Sequence, residues 1–443
     1  MRSIVASPST FGLSLGSSLW LFTLGACAPG TVTLDSVPAS TDTDTDADTD
    51  TDTGIPTIED TWPDSTDSTP DSTDTGDLPN DDDARFESWF NRDAIQEVRI
   101  TIDPLQIQAL QRDPFTYVEA AATLIPGDAA FTAETYAQVG IRLKGSSSFR
   151  PWVDGSKPAF KLKLNHYVVD QKWGDIERLV LNNQTGDMAM GREVIGYALW
   201  NDAGILAPRA TYARVFVNDE YYGLYTNLEA VDDHFIQRHL GSEEGDIWEG
   251  NDSADFTPRA VDHFEAVLGS GDRTRLEEAS RLIRDVENVY TEMDAYIDMD
   301  QFLDFWAYSI VIGNQDGYPY NLNDFFVFDD LAPTTAMRFS PWGMDESWDT
   351  GMSWSAVGGQ LAVYCYNDES CLEELYNHMD PALTAYEAQD MPGLAQHFFD
   401  LSSADMLADP RMEYTPGDVE TQRVELMRRI EVWPTRVRRQ MGM

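Results

Sequence analysis

Two acids and two amides between Gly313 and Asp345, in GNQDGYPYNLNDFFVFDDLAPTTAMRFSPWGMD, have types and spacing that can do chemistry. Asp316 stands in a turn-rich loop that also carries Asn321 and Asn323, and Asp345 closes a Trp342-Gly-Met-Asp345 segment. An acid and an amide at the D-x-x-x-x-N spacing let the carboxylate align a hydroxyl nucleophile while the amide oxygen holds a divalent cation. A second acid can complete the cation's ligands. The same residues also suit plain turn chemistry, in which Asx side chains bond their own backbone. The order of the flanking elements favours the chemical reading: apolar helix, D-loop-N, hairpin, W-x-x-D.

These elements can be read from the pattern around them. Met299–Ile312, MDQFLDFWAYSIVI, is apolar nearly all round, predicts a buried helix and delivers the Asp316 loop. Phe325-Phe-Val-Phe328 and Met337-Arg-Phe339 read as two short strands of a hairpin ending at Asp345. Further upstream, IRLKGSSSFR (141–150) and KPAFKLKLN (157–165) alternate as strands. Ile141, Leu143, Phe160, Leu162 and Leu164 share inward faces and leave Arg142, Lys144, Lys161 and Lys163 outward. Between the two runs, Gly145, Ser146 and the serines after them are small enough for their backbone to approach a phosphate. A solvated strand face is the ordinary alternative, and four cations in so acidic a chain favour the phosphate site. Asp187–Ala203 predicts a helix carrying Glu193 and stopped by Gly204. Val98–Asp103 predicts a strand, and Asp103-Pro104 opens a short helix. Tyr117–Leu124 and Tyr136–Leu143 are further strands, and Arg209–Phe216 with Tyr221–Glu229 forms a hairpin in which Gly223 allows close packing. Helices are expected at Asp232–Leu240, near 394–401 and at 419–440, and a charged one within 252–298. The arginines of the last helix, Arg423 to Arg439, are expected to pack against an acidic body.

Composition sets the address and excludes some partners. The 443 residues carry a net charge of −47. Met1 to Cys27 has one basic residue, an apolar run from Phe11 to Leu24, and ends in Leu24-Gly-Ala-Cys27. That reads as a lipoprotein signal with Cys27 as the lipid-bearing residue; an ordinary signal peptide is the alternative. The G-x-S-x-G match at Gly12–Gly16 lies inside this segment and lacks the strand-turn-helix setting its chemistry needs. Residues 28–83 are mostly Thr, Asp, Ser and Pro, with 17 acids and no Lys or Arg between Asp35 and Asp83. Such a run cannot bury a core and self-repels, so it predicts an extended tether. It lacks the Gly and Glu of a calcium loop. Residues 84–443 hold 29 basic and 60 acidic side chains, net −31, which argues against nucleic-acid binding and suits a basic partner. Cys365 and Cys371 predict a small-loop disulfide outside the cytoplasm. The six histidines form no zinc motif.

Taken in order, VRITIDPLQIQAL, VGIRLKGSSSFR, KPAFKLKLN, VFVNDEYYGLYTNLEAVDDHF, DIWEGN, GNQDGYPYNLNDFFVF and SPWGMDESW resemble the CotH family of spore-coat-type kinases, over about 98–350. The resemblance implies an α+β, divergent protein-kinase-like fold, with an N-terminal mixed β-rich part and a mostly helical C-terminal part. It makes 84–443 one kinase-like domain. It implies that Asp316 is the catalytic-loop acid, Asp345 a Mg²⁺ ligand, and Asn321 or Asn323 the second metal ligand. Kinase spacing favours Asn321 and closeness to the aromatic strand favours Asn323. Lys161 or Lys163 falls where an ATP-phosphate lysine should lie, with Lys144, Gly145 and Ser146 as the adjacent phosphate-facing turn and Glu193 as the helix partner. The family often has an acid directly after the Trp of W-x-x-D, where this chain has Gly343. The implied activity is Mg²⁺-dependent transfer of the ATP γ-phosphate to Ser or Thr of a surface or exported protein, basic and Ser-rich to suit the acidic surface. ATP is scarce outside the cytoplasm, so the signal segment and the kinase reading pull against each other. The alternative is a non-catalytic surface protein for adhesion or assembly. A metal-dependent hydrolase has no nucleophile motif to support it.

The leader and tether predict an exported protein anchored by lipid alone on the outer membrane or cell surface. Metabolic labelling with a fatty acid is expected to mark the wild type and to be lost in Cys27→Ala. Equal labelling of both proteins rules the anchor out.

Overall fold

The computed structural model describes residues 82–241, 245–250, 253–329 and 336–443. The leader, Cys27 and nearly all of the acidic run lie outside these residues; its end, at Asp82 and Asp83, already belongs to helix α1 (Asp82–Trp89).

Seven strands close into a barrel: β1 (Ile95–Thr101), β2 (Val118–Ile125), β3 (Glu134–Lys144), β4 (Ala159–Lys163), β5 (Arg178–Asn182), β6 (Ala210–Val217) and β7 (Glu220–Glu229). Their order is β1-β2-β3-β4-β5-β7-β6, and the parallel pairing of β6 with β1 closes it. Alternation along each strand sends Ile141, Leu143, Phe160, Leu162, Leu179 and Leu181 into the interior. The cations at even or odd steps between them therefore lie on the outer face. Register places Arg142 opposite Lys161 and Lys144 opposite Ala159, at the end of the β3–β4 ladder. The expected β-rich N-terminal part is present, but its closure is a feature the strand pattern did not predict. The predicted helix from Asp187 begins later: α3 is Arg192–Asp202, and Asp187 instead accepts the backbone N–H groups of Gly191 (2.6 Å) and Arg192 (2.7 Å) at its start.

A second, antiparallel sheet contains β8 (Asp246–Gly250), β9 (Phe264–Leu268), β10 (Phe325–Asp329) and β11 (Arg338–Pro341), in the order β11-β10-β8-β9. Helices α2 (Pro104–Arg112), α4 (Asp233–Leu240), α5 (Thr274–Leu282) and α6 (Val289–Met293) come earlier in the chain. The C-terminal part is mostly α7 (Met299–Ile312), α8 (Gln360–Asn367), α9 (Glu369–Ala388), α10 (Met391–Ala408) and α11 (Pro416–Met441). The apolar helix α7 is the centre of this half. Asp298 caps it by accepting from Gln301 N, and Gly313 ends it in the left-handed region at φ 65°. A Cβ on Gly313 would also run into the Trp433 ring of α11. Cys365 and Cys371 are joined in a disulfide that spans the joint between α8 and α9.

The barrel is pinned to the C-terminal helices by a buried ion pair. Lys157 Nζ lies 2.7 Å from Asp409 Oδ2, with side chains 2% and 0% exposed. Lys157 also donates to Leu224 O (2.6 Å), and Asp409 accepts from the N–H of Leu224 (3.1 Å) and of Arg411 (2.9 Å). Gly223, at φ 134°, leaves the room that the Asp409 carboxylate fills. The arginines of α11 divide. Arg438 meets Glu387 at 3.0 Å on the body, as expected, whereas Arg423 is buried and donates to Ala189 O and Ser402 Oγ.

Breaking a buried pair leaves one uncompensated charge, so Lys157→Ala and Asp409→Ala are each expected to cost about 3–5 kcal/mol in urea unfolding. Replacing both by apolar residues of similar volume, Lys157→Met with Asp409→Leu, is expected to cost less than either single change. Single losses below about 1 kcal/mol would mean that the pair does not pin the barrel.

Candidate active site

The α7 terminus turns the chain into the loop that carries Asp316. Buried Asn314 holds the turn, its Oδ1 accepting from Asp316 N at 3.2 Å. The Asp316 carboxylate then accepts from both amides of the loop: Asn321 Nδ2 to Oδ1, and Asn323 Nδ2 to Oδ2 at 3.3 Å. Leu322 and Asp324 sit at positive φ, 57° and 50°, a rare backbone state that folds the loop back over the acid. The structure thus brings Asp316, Asn321 and Asn323 together and adds Asp324. Burial, the neighbouring charges of Asp316 and Asp345 and a hydrogen bond with Asp316 hold the Asp324 carboxyl well above the usual carboxylate range.

Asp345 reaches the same corner from the end of the hairpin. Met344 anchors that turn against Gly196 of α3, where a Cβ would come within 2.8 Å of Met344 Sδ. Asp345 keeps part of its surface open to solvent, yet protein surrounds it closely enough that desolvation pushes its pKa up to about 7, with Asp187, Glu346 and Asp316 adding repulsion. Gly186, at φ 94°, approaches its carboxylate so nearly that a Cβ would lie 2.9 Å from Asp345 Oδ2.

The cation facing these acids is Lys144, at the end of β3. Its Nζ donates to Asn182 Oδ1 at 2.6 Å, and Asn182 Nδ2 donates to Glu193 Oε1 at 2.8 Å. The barrel and α3 are therefore linked lysine to amide to glutamate. Lys144 Nζ also stands 5.8 Å from the centroid of the Trp342 ring. Glu193 is 4% exposed, and burial followed by repulsion from Asp345 raises its pKa to about 7, with Lys144 and Asn182 acting the other way. Lys144 likewise draws the Asp324 carboxyl down.

The other predicted lysines are placed differently. Lys161 lines a narrow cleft between the barrel and the second sheet, with Tyr117, Val180, Val231, Glu249, Phe326 and Trp342 among its walls. Lys163 lies two residues further along β4, opposite Gly140 and Arg178, away from the end where Lys144 sits. Gly145, at φ 108°, and Ser146 form a tight turn beside Lys144, closed by Phe149 N donating to Ser146 O. Asn183 Nδ2 fastens that turn by donating to Ser148 O (3.0 Å) and Lys157 O (2.9 Å). Sequence reasoning missed Asn182, Asp187, Asp324 and Trp342. The one available signal was Asp324 directly after Asn323, a second acid in the same loop.

The donor set can be tested against a metal. Asp345, Asp324, Asp316, Asn321 and Asn323 offer only hard oxygen ligands, which suit Mg²⁺ and not a soft cation. Asp324 and Asp345, whose carboxyls burial raises first and neighbouring acids raise further, are groups whose charge a cation can complete.

A mixed α/β chain with this acid corner facing a strand lysine and a helix glutamate is matched by the family model described as CotH kinase protein, over residues 141–379. This covers more than half of the chain, and every predicted site residue lies within it. The chain belongs to the CotH family. It is 23% identical over 204 residues to the inner spore coat protein H of Bacillus subtilis (strain 168), a match covering 43% of this chain and 55% of that protein. The chain thus spans about half the length of this curated relative.

A raised carboxyl pKa binds a proton more tightly in the folded than in the unfolded state. The Glu193 contribution is therefore full below its unfolded value and is lost as pH rises through about 7. Glu193→Gln keeps an acceptor for Asn182 and removes the charge. In metal-free urea unfolding it is expected to stabilise the protein at pH 8 by roughly 1–3 kcal/mol, a gain that vanishes by about pH 4.5. A pH-independent difference between the two proteins refutes a buried, proton-binding Glu193.

Proposed function

We propose that this protein is a divergent kinase-like phosphotransferase that moves the γ-phosphate of ATP, with Mg²⁺, to Ser or Thr of a surface or exported protein. The observation that carries the reading is the joining of the Lys144–Asn182–Glu193 link and the Asp316, Asp324 and Asp345 carboxylates in one corner. Phosphoryl transfer asks for positioning and charge compensation more than covalent chemistry, and this corner supplies both.

Each side chain has a part. Lys144, kept in place by Asn182 and Glu193, offsets negative charge on the phosphates, with the Gly145–Ser146 turn presenting backbone N–H groups beside it. The apolar walls and Trp342 of the neighbouring cleft, with Lys161 at its edge, receive the nucleotide base and sugar. Asp345, with Asn321 or Asn323 and Asp324, would hold Mg²⁺, which would supply positive charge to offset that of the phosphates. Asp316 aligns the acceptor hydroxyl and takes its proton as the hydroxyl oxygen bonds to the γ-phosphorus. The bond from that phosphorus to the bridging oxygen breaks, and ADP leaves with the electron pair. The acidic surface suits a basic acceptor, and the leader and tether read from the sequence support a reaction outside the cytoplasm on a lipid anchor. A second reading is an assembly role without catalysis, which the name of the B. subtilis relative, a coat protein, favours.

Nucleotide titration and phosphate transfer to a basic, Ser-rich peptide separate the roles. Asp345→Asn is expected to weaken Mg²⁺-ATP binding together with turnover. Asp316→Asn should leave binding nearly intact and lower turnover about 10²–10⁴-fold, the usual range for a lost general base. Lys144→Ala should weaken nucleotide binding, and Lys163→Ala should not. A wild type that binds no nucleotide in millimolar Mg²⁺ leaves the assembly reading in place.

A further inference from the structure

The segment Asn182-Asn-Gln-Thr-Gly-Asp187 runs from the Lys144–Glu193 link to Asp345 and carries a side chain that the fold does not use. Asn182 bridges lysine and glutamate, Asn183 fastens the 145–148 turn, and Gly186 lies against the Asp345 carboxylate. Between them stands Gln184, 6% exposed, with both Nε2 and Oε1 lacking a hydrogen-bond partner. Among the described residues no other side chain is left with both ends of a buried amide orphaned. Its neighbour Thr185 likewise has a buried hydroxyl without a partner. The backbone at Gln184 is in the left-handed region, φ 61°, which a residue with a Cβ adopts at a cost.

Two local costs therefore coincide at one residue. A buried amide without partners forfeits its hydration, and the positive φ adds backbone strain. Folding alone would be better served by glycine or by an apolar side chain there. Such a residue is expected where a ligand supplies the missing partners.

We propose that Gln184 is a ligand-contacting residue of the transfer site, an inference that rests on the phosphotransferase reading. The amide presents a donor group at Nε2 and an acceptor at Oε1, so its complement needs both an acceptor and a donor. A phosphoryl oxygen of the nucleotide accepts from Nε2. A phosphate offers no proton at neutral pH and the acceptor hydroxyl gives its own to Asp316, so Oε1 is left for a backbone N–H of the acceptor peptide. Gln184 thereby reads both reactants at the point where they meet, and Thr185 contributes its hydroxyl to the same phosphate side.

The test is a thermal melt of the ligand-free protein beside a Mg²⁺-ATP titration and the KM for the basic, Ser-rich peptide. Gln184→Leu keeps the shape and removes both polar atoms; Gln184→Gly also relieves the positive φ. Each is expected to melt at or a few degrees above the wild type, because an orphaned buried group is removed. Each is expected to bind Mg²⁺-ATP about tenfold or more weakly, the range for a lost hydrogen bond to a charged group, and to raise the peptide KM. Melting several degrees lower with unchanged nucleotide affinity overturns the proposal, since Gln184 would then be structural. Binding weakened in Asp345→Asn and equal to wild type in both Gln184 variants overturns this inference alone. A wild type that binds no nucleotide overturns the phosphotransferase reading and this assignment with it.

Discussion

The burial of several carboxylates in one corner, compounded by their mutual repulsion, is the constraint around which the rest of the structure is arranged. Glu193, Asp324 and Asp345 all bind protons more tightly than free carboxylates do, each first because of burial and then because of its neighbours. The helix that delivers Asp316 gives no relief, since α7 directs its C-terminal, negative end towards the loop. Lys144 is the cation that acts on both Glu193 and Asp324, and one lysine cannot balance so many acids. Such an arrangement is costly for a protein that only folds. On the proposed function, a divalent cation would supply positive charge between the acids, and the phosphate it accompanies would give Lys144 an anion to face.

Holding like charges together requires a stiff frame, and the frame is built from contacts far from the acids. α7 is buried along most of its length and is stopped at Gly313 against Trp433, so the Asp316 loop starts from a fixed point. Met344 seated on Gly196 ties the Asp345 turn to α3, the same helix that carries Glu193. The Lys157–Asp409 pair and buried Arg423 fasten the barrel and the start of α3 to the C-terminal helices. Loosening any of these would let the acids move apart, which electrostatics alone would favour.

Much of this frame was legible where a single element declares itself by period. The apolar run of α7, the aromatic strands β10 and β11, and the outward cations of β3 and β4 follow from spacing alone, as does the short Cys365–Cys371 separation. Barrel closure was not legible, because β1 pairs in parallel with β6 more than a hundred residues away and no local pattern encodes that. Alternation also fixed the face of Lys144, Lys161 and Lys163 without fixing which end of the ladder meets α3. Only register shows that Lys144 is the one beside Asn182. Asp187 read as the start of a helix defined by the i,i+4 pairs Val194–Ala198 and Ile195–Leu199 and stopped by Gly204. Its carboxylate in fact satisfies the N–H groups of a helix that begins at Arg192.

Gly343 shows how a departure from a pattern can have a local steric cause. The expected acid after Trp342 is missing, which by itself would suggest a depleted site. Yet Gly343 is at φ 54°, and a Cβ there would overlap the Asp324 carboxylate. Any side chain at 343 would displace Asp324, so an acid at both positions cannot be accommodated. Asp324 comes from the other side of the hairpin, from the loop that also carries Asp316, and its carboxylate fills the space next to the Trp342–Asp345 turn. The corner therefore keeps a carboxylate beside Asp345 although the sequence position that usually supplies it is empty. What the loop loses in ordinary backbone geometry at Leu322 and Asp324, it regains by setting that carboxylate within reach of Asp316 and Lys144.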